Sequence, residues 1–256
     1  MRLTTVGTGT AAPHARRVCA GHLVEAGAAR LLLDCGPGVV HRLAGLGLRW
    51  DTITHVALSH FDNDHIGDLV TLAVAWRWGQ LPPRTTPVEV LGPAGTGALV
   101  ERLAAALWDK LRDPGYPLGV RELGDGEAAE LGDGVRIRAR KVPHTPESIA
   151  YSIERGGRRL VYTGDTGADD GLAAWAAGAD VLLAECSLPA TMGMPSHLTP
   201  EQVGALAARA APGLLVLTHF YPPVEQVDVR GIVAAAGYAG PVVLADDGWG
   251  TEIEER

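Results

Sequence analysis

The sequence predicts a layered α/β protein built on mixed β-sheets, and two observations carry that expectation. Short, apolar, β-branched runs alternate with Ala- and Leu-rich segments from end to end, the pattern of strands interleaved with helices. Polar, acidic or glycine residues gather where those runs stop, in LLLDCG, LSHFDNDH, VPHT, YTGDTG, LAECS, LTHF and LADDG. Strand ends are where loops converge on a rigid frame, so ligand sites of α/β proteins lie there.

Taken in order, the strand candidates are residues 3–7, 22–26, 29–34, 54–59, 87–92, 135–142, 149–154, 159–164, 180–185, 214–219 and 242–246. Each is an apolar or alternating run bounded by turn residues. Helices are expected to begin near Val39, Gly67, Gly95, Asp169, Thr199 and Asp228. The fifth is the best marked, because Thr199 can cap, Pro200 suits the first helical position, and Gln202 can close a capping box. LPPRTTP (81–87) and RDPGYPLG (112–119) read as Pro-rich connectors too short to divide domains, so one domain over 1–256 is expected.

Composition narrows the function. A chain of 256 residues with 46% hydrophobic content buries a substantial core. No run reaches the ~18 apolar residues that span a bilayer, and MRLTTVGTGT lacks a signal-peptide pattern, so no membrane partner and a cytoplasmic location are expected. Cys19, Cys35 and Cys186 lack C-x-x-C spacing, which argues against a disulfide framework and a cysteine-rich zinc module. The net charge of −8, with no basic cluster beyond RGGRR at 155–159, argues against a large polyanionic partner. RGGRR itself lies between two strand candidates and reads as a hairpin turn with solvated arginines.

The chemistry concentrates in SHFDNDH, which places His60, Asp62, Asp64 and His65 within six positions directly after an apolar strand. In extended backbone, residues two apart face the same way, so His60 and Asp62 can reach one ion while Asp64 and His65, past the turn, reach another. GTGTAAP lacks the full dinucleotide fingerprint, so a phosphate cradle there is weakly signalled. His14 is the lone histidine best placed to join a site, whereas His22, His41 and His55 read as turn, core or surface residues. Trp76 and Trp78 fit a pocket wall, a dimer contact or simple core packing.

HFDNDH resembles the H-x-H-x-D-H signature of the metallo-β-lactamase superfamily, and the family's remaining metal-site motifs have counterparts in order: Asp34 in LLLDCGPG, His144 in VPHT, Asp165 in YTGDTG and His219 in LTHF. The resemblance implies a four-layer αββα sandwich of two mixed β-sheets flanked by helices, with two divalent metal ions held at one edge between the sheets. One ion would take His60, Asp62 and His144, the other Asp64, His65 and His219, with Asp165 bridging and Asp34 orienting a ligand histidine from behind. Such a pair, ~3.5–4 Å apart, ionises a bridging water near neutral pH. A homodimer is also implied.

Within the superfamily the chain looks like the ribonuclease Z branch of phosphodiesterases, because AECSL, SHLTPEQVGALAARA and LLVLTHFYP resemble that branch's Glu, extra-His and final-His sequences. That likeness makes Asp64, Glu185 and His197 the candidate catalytic residues. His197 would protonate the leaving oxygen while Glu185 holds its ring. The expected activity is hydrolysis of a small phosphodiester by a metal-bridged hydroxide. A lactone or sulfate ester hydrolase is an alternative, and a diiron redox protein is another. No flavodoxin-like segment follows the last motif to support the latter.

Two departures from the family matter. Only residues 145–164 separate His144 from Asp165, and they read as one hairpin where ribonuclease Z carries a tRNA-gripping insertion. With the acidic charge, this argues against tRNA or long nucleic acid as partner. Asp62 replaces the signature's second histidine, exchanging a neutral nitrogen for an anionic oxygen. Zn²⁺ is the family's expectation, and Mn²⁺ or Fe²⁺ gain ground at a harder site. Asp246 and Asp247 in LADDG resemble the branch's acidic end motif and are expected at the site's rim.

Overall fold

The structure is a computed structural model describing residues 1–254. The first half of the chain runs β1 (Arg2–Gly7), β2 (Gly21–Ala26), β3 (Ala29–Leu33), α1 (Val39–Gly45), β4 (His55–Ala57), α2 (Asn63–Ile66), α3 (Leu69–Trp78), β5 (Val88–Gly92), α4 (Thr96–Ala106) and β6 (Leu118–Glu122). The second continues with β7 (Ala128–Gly132), β8 (Val135–Lys141), β9 (Ile149–Arg155), β10 (Arg158–Tyr162), α5 (Asp170–Trp175), β11 (Val181–Glu185), α6 (Pro200–Ala210), β12 (Leu214–Thr218), α7 (Val229–Ala235), β13 (Val242–Leu244) and β14 (Gly250–Glu252).

These strands form two seven-stranded sheets, ordered β14-β1-β2-β3-β4-β5-β6 and β13-β12-β11-β10-β9-β8-β7. In the first, β14 through β3 pair antiparallel and β3 through β6 pair parallel. The second repeats the plan, antiparallel from β7 to β10 and parallel from β10 to β13. The repetition places the ends of the central strands together at one edge of the sandwich.

Residue patterning explains the layers. Alternate residues of β3, β9 and β11, such as Leu31, Leu33, Tyr151, Ile153, Val181 and Leu183, fill a core between the sheets. The opposite faces of the first sheet pack Leu32, Val56 and Val90 against α1, α3 and α4 through Leu43, Leu72 and Leu99. On the second sheet, Leu182, Leu215 and Leu217 meet Leu172, Val203 and Val233 of α5, α6 and α7. The result is the four-layer αββα sandwich. Parallel strand β11 is buried at every residue, whereas β8, VRIRARK, alternates buried apolar with more exposed basic residues.

All eleven expected strands are present, and three others join them. The additions, β6, β7 and β14, are sheet edges. Their sequences, LGVRE, AAELG and GTE, are largely exposed and mix Gly with charged residues, so they lack the apolar signature of a central strand. The connector expected over 112–119 therefore runs into β6 at Leu118. The helix expected near Gly67 is divided. Asp64 and His65 lie in α2, which begins earlier at Asn63, and α3 follows after Gly67 and Asp68.

Other expectations hold. The Thr199 hydroxyl accepts from the Gln202 amide while Gln202 accepts from the Thr199 N–H, a capping box worth about 1 kcal/mol. RGGRR is the β9–β10 hairpin turn, and Arg159 is only partly solvated, since its guanidinium donates to Ser152 Oγ and to the carbonyls of Trp175 and Ala177. Trp76 is core, and exposed Trp78 lies under Arg77 and Lys110, so the stretch builds no pocket wall at the site. In GTGTAAP, a Cβ on Gly7 would come within 1.9 Å of the Cys19 carbonyl oxygen. Close backbone approach, not phosphate, explains that glycine.

His22, on the inner face of β2, is fully buried edge-on to the Tyr162 ring at 5.2 Å, and neither ring nitrogen has a hydrogen-bond partner. Burial lowers its pKa to about 3. Between pH 6.5 and that value the unfolded chain takes up a proton that the folded chain refuses, so this part of the stability is lost as pH falls. His22→Phe should reduce the drop in urea-unfolding free energy between pH 7.5 and pH 5 by roughly 2 kcal/mol. An unchanged drop would contradict the assignment.

Candidate metal centre

Every residue expected at the site reaches one edge of the sandwich. Asp34 follows β3, Ser59 and His60 follow β4, His144 follows β8, Asp165 follows β10, Glu185 ends β11, and His219 follows β12. The short helix α2 carries Asp64 and His65 over the same edge, with Asp62 at its start. Gly36 permits this closeness, since a Cβ there would lie 1.9 Å from the Asp64 carbonyl oxygen.

Asp165 is the hub. Its Oδ2 lies 3.3 Å from His65 Nε2, 3.4 Å from His219 Nε2, 3.9 Å from both His60 Nε2 and His144 Nε2, and 3.8 Å from His197 Nδ1. Burial acts to raise its pKa, but His219, His65 and His60 outweigh that and hold the carboxyl well below its ordinary range. Around the hub are two lobes. In one, Asp62 Oδ2 sits 3.5 Å from His60 Nε2 and 3.3 Å from His144 Nε2. In the other, Asp64 Oδ2 sits 3.8 Å from His65 Nε2 and 3.4 Å from His219 Nε2, while those two ring nitrogens are 3.3 Å apart.

The orientation of each imidazole has a cause. His144 Nδ1 donates to the Ser196 carbonyl and His65 Nδ1 donates to Asp34, acceptors that require a proton on Nδ1 and turn Nε2 toward the cluster. His60 Nδ1 faces Ser59 Oγ, whose hydrogen goes to Asp34, and His219 Nδ1 faces Ser187 Oγ, whose hydrogen goes to Glu185. Four Nε2 atoms and three carboxylates thus face a common space. Each of His60 Nε2 and Asp165 Oδ1 is buried without a hydrogen-bond partner. A buried set of imidazole nitrogens and carboxylate oxygens converging in this way, with two of its atoms left without a partner, has the chemistry of a divalent-cation site.

Asp34 accepts from Ser59 N, Ser59 Oγ, His65 Nδ1 and Tyr162 Oη, all at 2.7–2.8 Å. Burial would raise its pKa, and His65 with these donors brings it below the ordinary value. His60 and His144 hold the Asp62 carboxyl at about 2 against partial desolvation, so Asp62 is an anion at neutral pH. His197 Nδ1 lies 3.2–3.3 Å from both Glu185 oxygens. Burial works to lower the His197 pKa, but Glu185, Asp165 and Asp64 raise it to about 9.

A cavity of about 680 Å³ opens beside the cluster, lined by Asp62, Asp64, Asp165, His197, Tyr221, Cys19 and His14. His14 is therefore on the cavity wall, its Nδ1 accepting from the Arg16 and Arg17 amides. Asp247 accepts from Thr8 and Val18, and Asp246 pairs with Arg17, so the LADDG residues pin the wall loop rather than touch the cluster. Sequence reasoning did not single out Ser59, Ser187, Tyr162 or Tyr221. All four stand inside the quoted motifs SHFDNDH, AECSL, YTGDTG and LLVLTHFYP, where a hydroxyl near a site residue was the available signal.

The Beta-lactamase superfamily domain profile matches residues 29–220. Ribonuclease Z of Mycobacterium sp. (strain KMS) is 32% identical, with 96% of this chain and 94% of that protein covered. Ribonuclease Z of Mycobacterium avium (strain 104) is 34% identical, with 96% of each covered. Among solved structures, the metallo-beta-lactamase fold protein YhfI from Bacillus subtilis superposes with a TM-score of 0.83 at 24% identity, covering 98% of both chains. The short form of human tRNase Z superposes with a TM-score of 0.81 at 22% identity, covering 99% of this chain and 100% of that one. Profile, full-length relatives and fold agree: the chain belongs to the beta-lactamase superfamily, as a metallohydrolase resembling its ribonuclease Z branch.

Proposed function

We propose that the chain is a binuclear phosphodiesterase acting on a small phosphodiester. The observation that carries this reading is His197: its ring is clamped by Glu185, stands 3.8 Å from the Asp165 hub and lines the cavity. His60, Asp62, His144 and Asp165 would hold one ion, and Asp64, His65, His219 and Asp165 the other. Bound there, two divalent ions supply an activated water and neutralise charge on the phosphate. With Nδ1 committed to Glu185, His197 presents Nε2 to the cavity. The Glu185 carboxylate favours the protonated imidazole, which would give its proton to the leaving oxygen as that oxygen takes the electron pair of the P–O bond broken when the water oxygen bonds to phosphorus.

A lactonase has less need of such a donor, which favours the phosphodiester over other esters. A second reading is RNA as substrate. The short 145–164 hairpin and the charge of −8 speak against it, but the relatives matched along nearly their whole length are named ribonuclease Z. Competing assays on bis(p-nitrophenyl) phosphate and on a structured RNA separate the two, and faster cleavage of the RNA would favour the second.

His197→Ala should lower kcat on bis(p-nitrophenyl) phosphate by about 10²-fold or more while leaving metal content at two ions per chain. Unchanged turnover would remove His197 from the acid role. Elemental analysis of the purified protein should find two ions, and chelation should abolish hydrolysis. Asp62 offers a hard anionic oxygen, so Mn²⁺ or Fe²⁺ should restore activity at least as well as Zn²⁺, and Asp62→His should move the preference toward Zn²⁺. An oxygen-cycling iron pair with no esterase activity would overturn the hydrolytic reading in favour of redox chemistry.

A further inference from the structure

Ser187 is fully buried two residues beyond Glu185 and takes no part in the donor cluster itself. All of its polar groups are nevertheless committed to the two segments that make the site. Its hydroxyl contacts Glu185 Oε2 and, at 2.9 Å, His219 Nδ1. Its amide donates to the carbonyl of Leu198, beside His197, and its carbonyl accepts from the amide of Tyr221, two residues past His219.

We propose that Ser187 is a positioning residue that sets the metal lobe and the proton donor together, by fixing the His219 ring with Nε2 toward the cluster and locking Glu185 in the rotamer that holds His197. The direction of the bonds follows from donor chemistry. An ionised carboxylate only accepts, so the single hydroxyl hydrogen points to Glu185. The remaining lone pairs then accept from His219 Nδ1–H, which leaves Nε2 unprotonated. On the other side, Glu185 Oε1 takes the Thr166 amide at 2.6 Å. Both carboxylate oxygens are thus tied from outside while both face His197 Nδ1.

The same device occurs elsewhere in the site, where Ser59 Oγ gives its hydrogen to Asp34 and faces His60 Nδ1. Through Asp34, which also takes His65 Nδ1, that serine serves the two lobes of the cluster but not His197. Ser187 differs because its carboxylate also holds the residue assigned as acid, so loss of one hydroxyl would loosen both functions.

The inference rests on the phosphodiesterase reading for its second half alone, and the test separates the two. Ser187→Ala and Ser187→Cys remove or weaken the hydroxyl, and Ser187→Thr restores it; thermal denaturation identifies which variants fold. Competition with a chromophoric chelator should show one of the two Zn²⁺ ions bound about 10–100-fold more weakly in the Ala and Cys variants, with wild-type affinity in the Thr variant. On aryl phosphodiesters, the fall in kcat should grow from the p-nitrophenyl to the phenyl ester, reaching about 10-fold or more for the poorer leaving group, as a weakened acid requires. Unchanged Zn²⁺ affinity, or an equal fall across leaving groups, overturns the coupled role. Should the wild-type protein hydrolyse no phosphodiester, the phosphodiesterase reading fails. The Zn²⁺ measurement then decides the His219 half by itself.

Discussion

One buried carboxylate organises the edge at which the two sheets meet. Asp34 leaves β3 in the left-handed region, at φ 57°, and its side chain accepts hydrogen bonds from Ser59 and His65 of the first half and from Tyr162 of β10 in the second. An unpaired buried carboxylate would cost several kcal/mol, so the four donors are the condition for its presence there. The bonds run both ways in effect. They keep the anion folded, and they dictate the ring direction of His65, the hydroxyl direction of Ser59 and the approach of one sheet to the other.

The rest of the site inherits that logic. Four of the imidazoles facing the Asp165 hub are oriented from behind by an acceptor that turns Nε2 toward it: a carbonyl for His144, a carboxylate for His65, a serine hydroxyl for His60 and His219. The two lobes are unequal in exposure. The Asp64 side chain is 12% exposed in the lobe it shares with His65 and His219, whereas that of Asp62 is 54% exposed in the other. With its carboxylate at the wet rim, the Asp62 lobe is the one more open to solvent.

The cavity wall depends on residues distant in sequence. The loop bearing His14 is pinned by Asp246 and Asp247 near the end of the described chain, through Thr8, Val18 and Arg17, while Arg17 also pairs with Glu225 and lies over the Phe220 ring. The chain's beginning and end thus meet beside the cluster, in keeping with β14 pairing to β1.

By itself the sequence determined the central strands, the capped helices and the order of the ligand motifs, because each is written locally, in side-chain periodicity, cap chemistry and clustered donor types. Eleven strands, the Thr199 cap and the convergence of His60, Asp62, Asp64, His65, His144, Asp165 and His219 were legible for that reason. Only the tertiary structure decided the edge strands β6, β7 and β14, whose mixed sequences become strands through the neighbour they pair with. It alone decided the roles open to Ser59, Ser187 and Tyr162, since a hydroxyl has meaning only through its partner, and for Tyr162 that partner lies 128 residues away. The exposure of Asp62 and the burial of Asp64, two positions apart in one motif, were likewise set by packing, which sequence spacing does not encode.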